Sequence, residues 1–128
     1  MKIVILDGRA LNPGDLSYDC LRQFGELAIY DRTDSEAEAI ERIGDSEIVL
    51  VNKVKITERL LAACPNIRLI CVQATGYNVI DCEACAKRGI PVTNVPCYGT
   101  AAVAQFTMAL ILELCQLLTD SRYRKVEG

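Results

Sequence analysis

Apolar residues along the chain fall into short runs separated by longer amphipathic stretches. KIVIL (2–6), ELAIYD (26–31), EIVLVN (47–52), RLICVQ (68–73) and IPVTNV (90–95) are each four to six residues long. Such runs are long enough for strands and too short for helices. Between them, LSYDCLRQFG (16–25), DSEAEAIERIG (34–44), ITERLLAACP (56–65) and IDCEACAKRG (80–89) read as helices. The second of these carries a capping residue, an acidic first turn, a late basic residue and a terminal glycine. Pro65 ends the third, and Asp81 is placed to cap the fourth.

Strands alternating with helices require crossover connections and hence a parallel sheet. The strand cores are almost continuously apolar, which predicts cover on both faces. The expected fold is an α/β, three-layer, flavodoxin-like domain with a five-stranded parallel sheet in the order 2-1-3-4-5. In sheets of this kind ligands bind beyond the C-terminal ends of the strands. The loops at that edge are Asp7–Arg9, Asn52–Val54, Ala74–Asn78 and Asn94–Gly99.

The last segment breaks the pattern. In TAAVAQFTMALILELCQLLTD (100–120), Val103, Phe106, Ala109, Leu110, Leu114 and Leu117 form one apolar stripe. Met108, Ile111, Leu112, Cys115 and Leu118 cover much of the remaining surface. A helix apolar nearly all round is buried in protein or crosses a membrane. A span needs about 20 mostly apolar residues, and Glu113 lies well inside this shorter run, so burial against further protein is the expectation. Helix 100–118 is also expected to associate with a second copy of the chain.

Composition narrows the classes. The chain has 128 residues, 51% of them hydrophobic, enough for one real core. A net charge of −3 and few aromatics offer nothing to nucleic acid. Seven cysteines, an odd number, sit mostly beside apolar residues. Each reads as a buried free thiol, which fits a reducing cytoplasm. Cys82 and Cys85 have metal-ligand spacing, but there is no second pair and no histidine, so no metal site is expected. Without histidine, an acid or base in this chain would need a strongly shifted pKa.

The loop after the fourth strand poses the functional question. In LICVQATGYNVID (69–81), small and polar residues surround Gly76. Glycine here either reverses the chain or lets a ligand approach bare backbone, and it reaches backbone angles that turn successive N–H groups toward an anion. The loop alone leaves both readings open.

Taken in order, NKV (52–54), QATGYNVID (73–81), RGIPVTNVP (88–96) and NVPCYGTAAVAQ (94–105) resemble the D-isomer-specific 2-hydroxyacid dehydrogenase family, most closely its glycerate dehydrogenase (hydroxypyruvate reductase) branch. The resemblance implies a substrate domain over residues 1–98. It implies that 99–128 forms the interdomain helix and the start of a Rossmann domain. It further implies that backbone amides of Thr75, Gly76 and Tyr77 hold a substrate carboxylate, with Asn52 and Lys53 beside it. Tyr98, Gly99 and Thr100 are implied to lie near NAD, or NADP. A solvated strand-end lysine and a helix-capping Thr100 are the plain alternatives for those two positions.

Gln105 stands where the family often has glutamate, and Phe106 where it often has histidine; both read as packing residues. The family's glycine-rich nucleotide motif and its catalytic arginine, glutamate and histidine have no counterpart here, so no catalytic residue is assigned. The implied reaction is hydride transfer between nicotinamide and a small 2-hydroxy or 2-keto acid. A non-catalytic ligand- or protein-binding module of the same fold is the alternative. The chain alone is therefore predicted to lack dehydrogenase activity; NADH oxidation with hydroxypyruvate by the purified chain would contradict this.

Overall fold

The computed structural model describes the backbone of residues 1–124 and the side chains of residues 1–117. Leu118, the last residue of the expected apolar helix surface, lies outside the described side chains. The chain divides into two compact units, Met1–Pro96 and Cys97–Gly128.

The first unit contains strands β1 (Lys2–Ile5), β2 (Glu26–Ile29), β3 (Ile48–Val51), β4 (Leu69–Val72) and β5 (Val92–Thr93). They form one sheet in the order β2-β1-β3-β4-β5, and all neighbours are parallel. This is the expected topology. Its helices are α1 (Asp19–Arg22), α2 (Glu36–Ile43), α3 (Glu58–Ala63) and α4 (Cys82–Lys87), and a 3₁₀ turn spans Gly8–Ala10.

Local chemistry sets the helix starts. Ser35 accepts from Glu38 N at 3.2 Å, while Glu38 Oε2 accepts from Asp34 N at 2.8 Å. Thr57 accepts from Leu60 N and Asp81 from Ala84 N. Each side chain satisfies an amide that the helix cannot.

Alternation along the strands separates two cores. Val4, Leu6, Val49, Val51, Ile70 and Val72 face one side, where Ile43, Leu60, Leu61 and Cys85 of α2, α3 and α4 cover them. Full burial of each such aliphatic side chain stabilises by about 2 kcal/mol. Ile3, Ile5 and Leu50 face the other side, where Tyr18 and Leu21 pack against them. The two covers are unequal within this unit, because α1 is a single turn with no buried residue. The pattern 16–25 predicted a longer helix. Instead Asn12 bonds Leu16 O, Leu16 N and Gly14 N, which folds the preceding residues into a loop. Gly25 then admits the chain to β2, since a Cβ there would lie 2.0 Å from Met1 O.

The cysteines depart from expectation. Only Cys64 and Cys85 are buried, and burial pushes both thiols up in pKa. Cys71 is half-buried, while Cys20, Cys82, Cys97 and Cys115 are exposed. Apolar neighbours in sequence did not place these four inside: α1 and the first turn of α4 put Cys20 and Cys82 on the solvent side, and Cys97 and Cys115 belong to the second unit.

The second unit is dominated by α5 (Thr100–Arg124). Its described apolar residues, up to Leu117, are exposed, Val103 and Phe106 among the most so at 66% and 67%. The stretch Thr100–Leu117 has a mean hydropathy of 1.5 and meets, by length and composition, the requirement for crossing a membrane.

Candidate functional site

The C-terminal edge of the sheet is organised by a buried carboxylate. Asp7 follows β1 and is 5% exposed. It accepts from three successive backbone N–H groups beyond β3: Asn52 (2.9 and 3.0 Å to its two oxygens), Lys53 (2.5 Å) and Val54 (3.3 Å). A buried charge persists only when hydrogen-bonded or paired, and here main-chain amides do the pairing. Asn52 is itself buried, and its Nδ2 donates to Gln73 O at 3.1 Å. Asp7 and Asn52 therefore tie the ends of β1, β3 and β4 together.

From Gln73 the chain enters the glycine loop. Its near side is pinned to the segment after β5: Thr75 Oγ1 donates to Val95 O (2.9 Å), Asn94 Nδ2 to Thr75 O (2.8 Å) and Val95 N to Ala74 O (3.0 Å). Its far side is closed by Ile80 N donating to Tyr77 O at 3.0 Å. Between these anchors Thr75, Gly76, Tyr77 and Asn78 are exposed. Their four consecutive N–H groups donate to no acceptor among the described residues.

Gly76 is not in the left-handed region, unlike Gly14, Gly25, Gly44 and Gly89. The expectation that it supplies an unusual backbone angle is corrected on this point. Nor does packing demand glycine, since a Cβ at 76 would meet only Asn78 Oδ1, at 3.4 Å. The loop's own geometry thus does not require glycine at 76.

The structure thus brings Asn52, Lys53, Thr75, Gly76 and Tyr77 to one edge. Lys53 is exposed with no side-chain partner among the described residues. Two buried amide oxygens at this edge, Asn52 Oδ1 and Gln73 Oε1, accept from no donor among the described residues. Nearby, Tyr18 donates to Gly8 O at 3.3 Å, and burial pushes its phenol up in pKa.

Tyr98, Gly99 and Thr100 belong to the second unit. Thr100 is the first residue of α5 and makes no side-chain cap; Val103 N bonds Gly99 O instead. Cys97 just before them adopts φ 61°, a left-handed conformation rare for a non-glycine residue. Among the described residues no cluster of histidine, cysteine or acidic side chains could hold a metal.

Asp7 and Gln73 were not singled out in the sequence. The only sign of Asp7's role was an acid directly after an apolar strand.

The parallel sheet in the order β2-β1-β3-β4-β5, with helices on it, defines an α/β domain. The profile of the D-isomer specific 2-hydroxyacid dehydrogenase catalytic domain matches residues 3–125, and the chain belongs to that family. A hydroxypyruvate reductase of Blautia hydrogenotrophica is 53% identical over 118 residues, covering 90% of this chain and 36% of that protein. The D-lactate dehydrogenase of Aquifex aeolicus, solved with NAD and lactic acid, superposes with a TM-score of 0.71 at 29% identity, over 98% of this chain and 38% of that one. An acyclic imino acid reductase solved with NADPH and D-Arg gives a TM-score of 0.79 at 26% identity, over 98% and 41%. The chain spans about a third of the length of the curated relatives it matches.

Replacing Asp7 with alanine strands the Asn52, Lys53 and Val54 amides. The expected cost is about 3 kcal/mol in urea unfolding. Hydrogen exchange at those three amides should accelerate beyond the global change. Unchanged exchange there would show that the carboxylate does not hold this loop.

Proposed function

We propose that this chain is the substrate-side part of a nicotinamide-dependent oxidoreductase acting on a small D-2-hydroxy or 2-keto acid, of the glycerate or hydroxypyruvate type. Residues 1–98 would form the substrate domain, and 99–128 would lead into the nucleotide domain. One observation carries the reading: the four bare amides from Thr75 to Asn78, anchored on both sides. Successive exposed amides with no acceptor of their own can donate to an anion, and the lack of an internal reason for glycine at 76 leaves close approach by a ligand as its use.

In this reading the amides of Thr75, Gly76 and Tyr77 grip the carboxylate, and Asn52 and Lys53 stand beside the rest of the acid. Asp7 keeps that neighbouring loop in place. NAD, with NADP as the variant, would supply the hydride. The described residues fit only its margin: Tyr98, Gly99 and Thr100 at the start of α5 are the candidates, and no glycine-rich fingerprint follows a strand. The relatives solved with NAD and with NADPH support this cofactor class. Free thiols support a reducing, cytoplasmic setting.

The exposed apolar face of α5 favours association in water over isolation. Glu113, inside the helix, argues against a membrane span. Light scattering is expected to show a dimer or larger species, through helix 100–118; a monomer at high concentration would contradict that.

The clamp is tested by Gly76→Ala. With a Cβ neighbour only at 3.4 Å, stability should change by less than about 0.5 kcal/mol. Binding of hydroxypyruvate and glycerate, followed by amide chemical shifts, should perturb residues 75–78 in the parent and weaken markedly in the variant. Equal binding by both chains would overturn the assignment.

A further inference from the structure

We infer that the same edge of the sheet carries a second binding site, for a small phosphate ester, in the groove between the loops that follow β1, β2 and β3. Two adjoining clefts of about 430 Å³ each make up this groove. They share Thr33, Asp34, Lys53 and Val54. Arg9 lines one end and Lys55 the other. Each volume lies within the range of small-molecule sites. The groove straddles β1 and β3, where the strand order reverses, which is where open α/β sheets bind ligands. It includes none of Thr75, Gly76 and Tyr77, and shares with the proposed acid site only Lys53.

Formal charge in the groove is even, but the acids and bases are unequally paired. The acids that face it are Asp7, Asp31, Asp34 and Glu36; the bases are Arg9, Arg32, Lys53 and Lys55. Three of the four acids are already engaged. Asp7 is held by three backbone amides, Asp34 by Arg32, and Glu36 by the Thr57 hydroxyl and by Arg59 at 3.4 Å. Arg9, Lys53 and Lys55 have no carboxylate partner among the described residues, and Asp31 is the acid left over. Three uncommitted cations thus gather in one groove of a chain whose net charge is −3.

The groove also offers backbone donors. The N–H groups of Arg32 and Thr33 have no acceptor among the described residues. A phosphate monoester brings a charge of roughly −1.5 to −2 and three acceptor oxygens. That matches separate cations plus amides better than a single carboxylate does. Asp31 can accept from a hydroxyl on the ester's body, which favours a polyol or hydroxy-acid phosphate over an apolar one. The inference does not depend on the carboxylate clamp.

Amide chemical shifts of the isotopically labelled 128-residue chain test it, with glycerol 3-phosphate, inorganic phosphate and sodium chloride titrated separately at matched ionic strength. Glycerol 3-phosphate should shift Arg9, Arg32, Thr33 and Lys55 saturably, at millimolar concentrations and more tightly than inorganic phosphate. Arg9→Ala combined with Lys55→Ala should weaken it about tenfold, some threefold for each lost cation. Equal affinity for inorganic phosphate would assign the groove to the free ion and overturn the ester. Shifts that merely follow ionic strength, or that persist in the double variant, would overturn the site altogether. Hydroxypyruvate titrated in parallel separates the two proposals: response at 75–78 alone refutes the groove, and response to the ester alone refutes the clamp.

Discussion

The ligand edge of this domain depends on one carboxylate that is almost out of water. Asp7 follows β1, the neighbour of the central strand β3, and is surrounded by three main-chain N–H groups from the loop after β3. An uncompensated charge at that depth would be strongly disfavoured. The loop 52–54 must therefore close over it, and in doing so Asn52 is carried into contact with Gln73 at the end of β4. Because a carboxylate accepts several hydrogen bonds at once, one side chain can fix a loop that makes few apolar contacts of its own. The strands beneath supply stability, and the acid supplies register between their exits.

Two different surfaces follow from that arrangement. On the β4 side, the glycine loop is held at its flanks while the amides of its exposed middle have no acceptor among the described residues. On the β2 side, the consumption of Asp7 by backbone leaves Lys53 and its neighbours without acidic partners. Asp7 is thus taken up by main-chain amides and forms no salt bridge with Lys53 among the described residues. In the proposed reading backbone donors and side-chain cations divide the work: the first would read carboxylate geometry at short range, and the second would attract charge over a longer distance, screened within about 8 Å at physiological salt.

Much of the fold was legible because its determinants are local. Apolar runs gave the strands, and Asp81 marked the start of a helix that the structure begins one residue later, at Cys82. What failed were readings that depend on distant contacts. The helix expected over 16–25 shrinks to one turn because Asn12 captures the backbone ahead of it. Burial of Cys20 or Cys82 could not be inferred from apolar neighbours in sequence, since the helix face decides it. Asp7 reaches residues 45 to 47 positions away, so no local pattern announces it. The groove is likewise assembled from three separate loops. Gly76 was read as allowing close approach of a ligand and as reaching an unusual backbone angle; it does not adopt such an angle, and its neighbourhood is open.

The central claim is that open amides around Gly76 are a carboxylate site and that the rest of the edge exists to support them. A crystal structure of the chain grown with hydroxypyruvate tests this most directly. The account predicts density for the acid with its carboxylate oxygens within hydrogen-bonding distance of at least two of the Thr75, Gly76 and Tyr77 N–H groups, and with the Asp7 contacts unchanged. Density for the acid at another place, with the loop amides turned inward or bonded to protein, would contradict it.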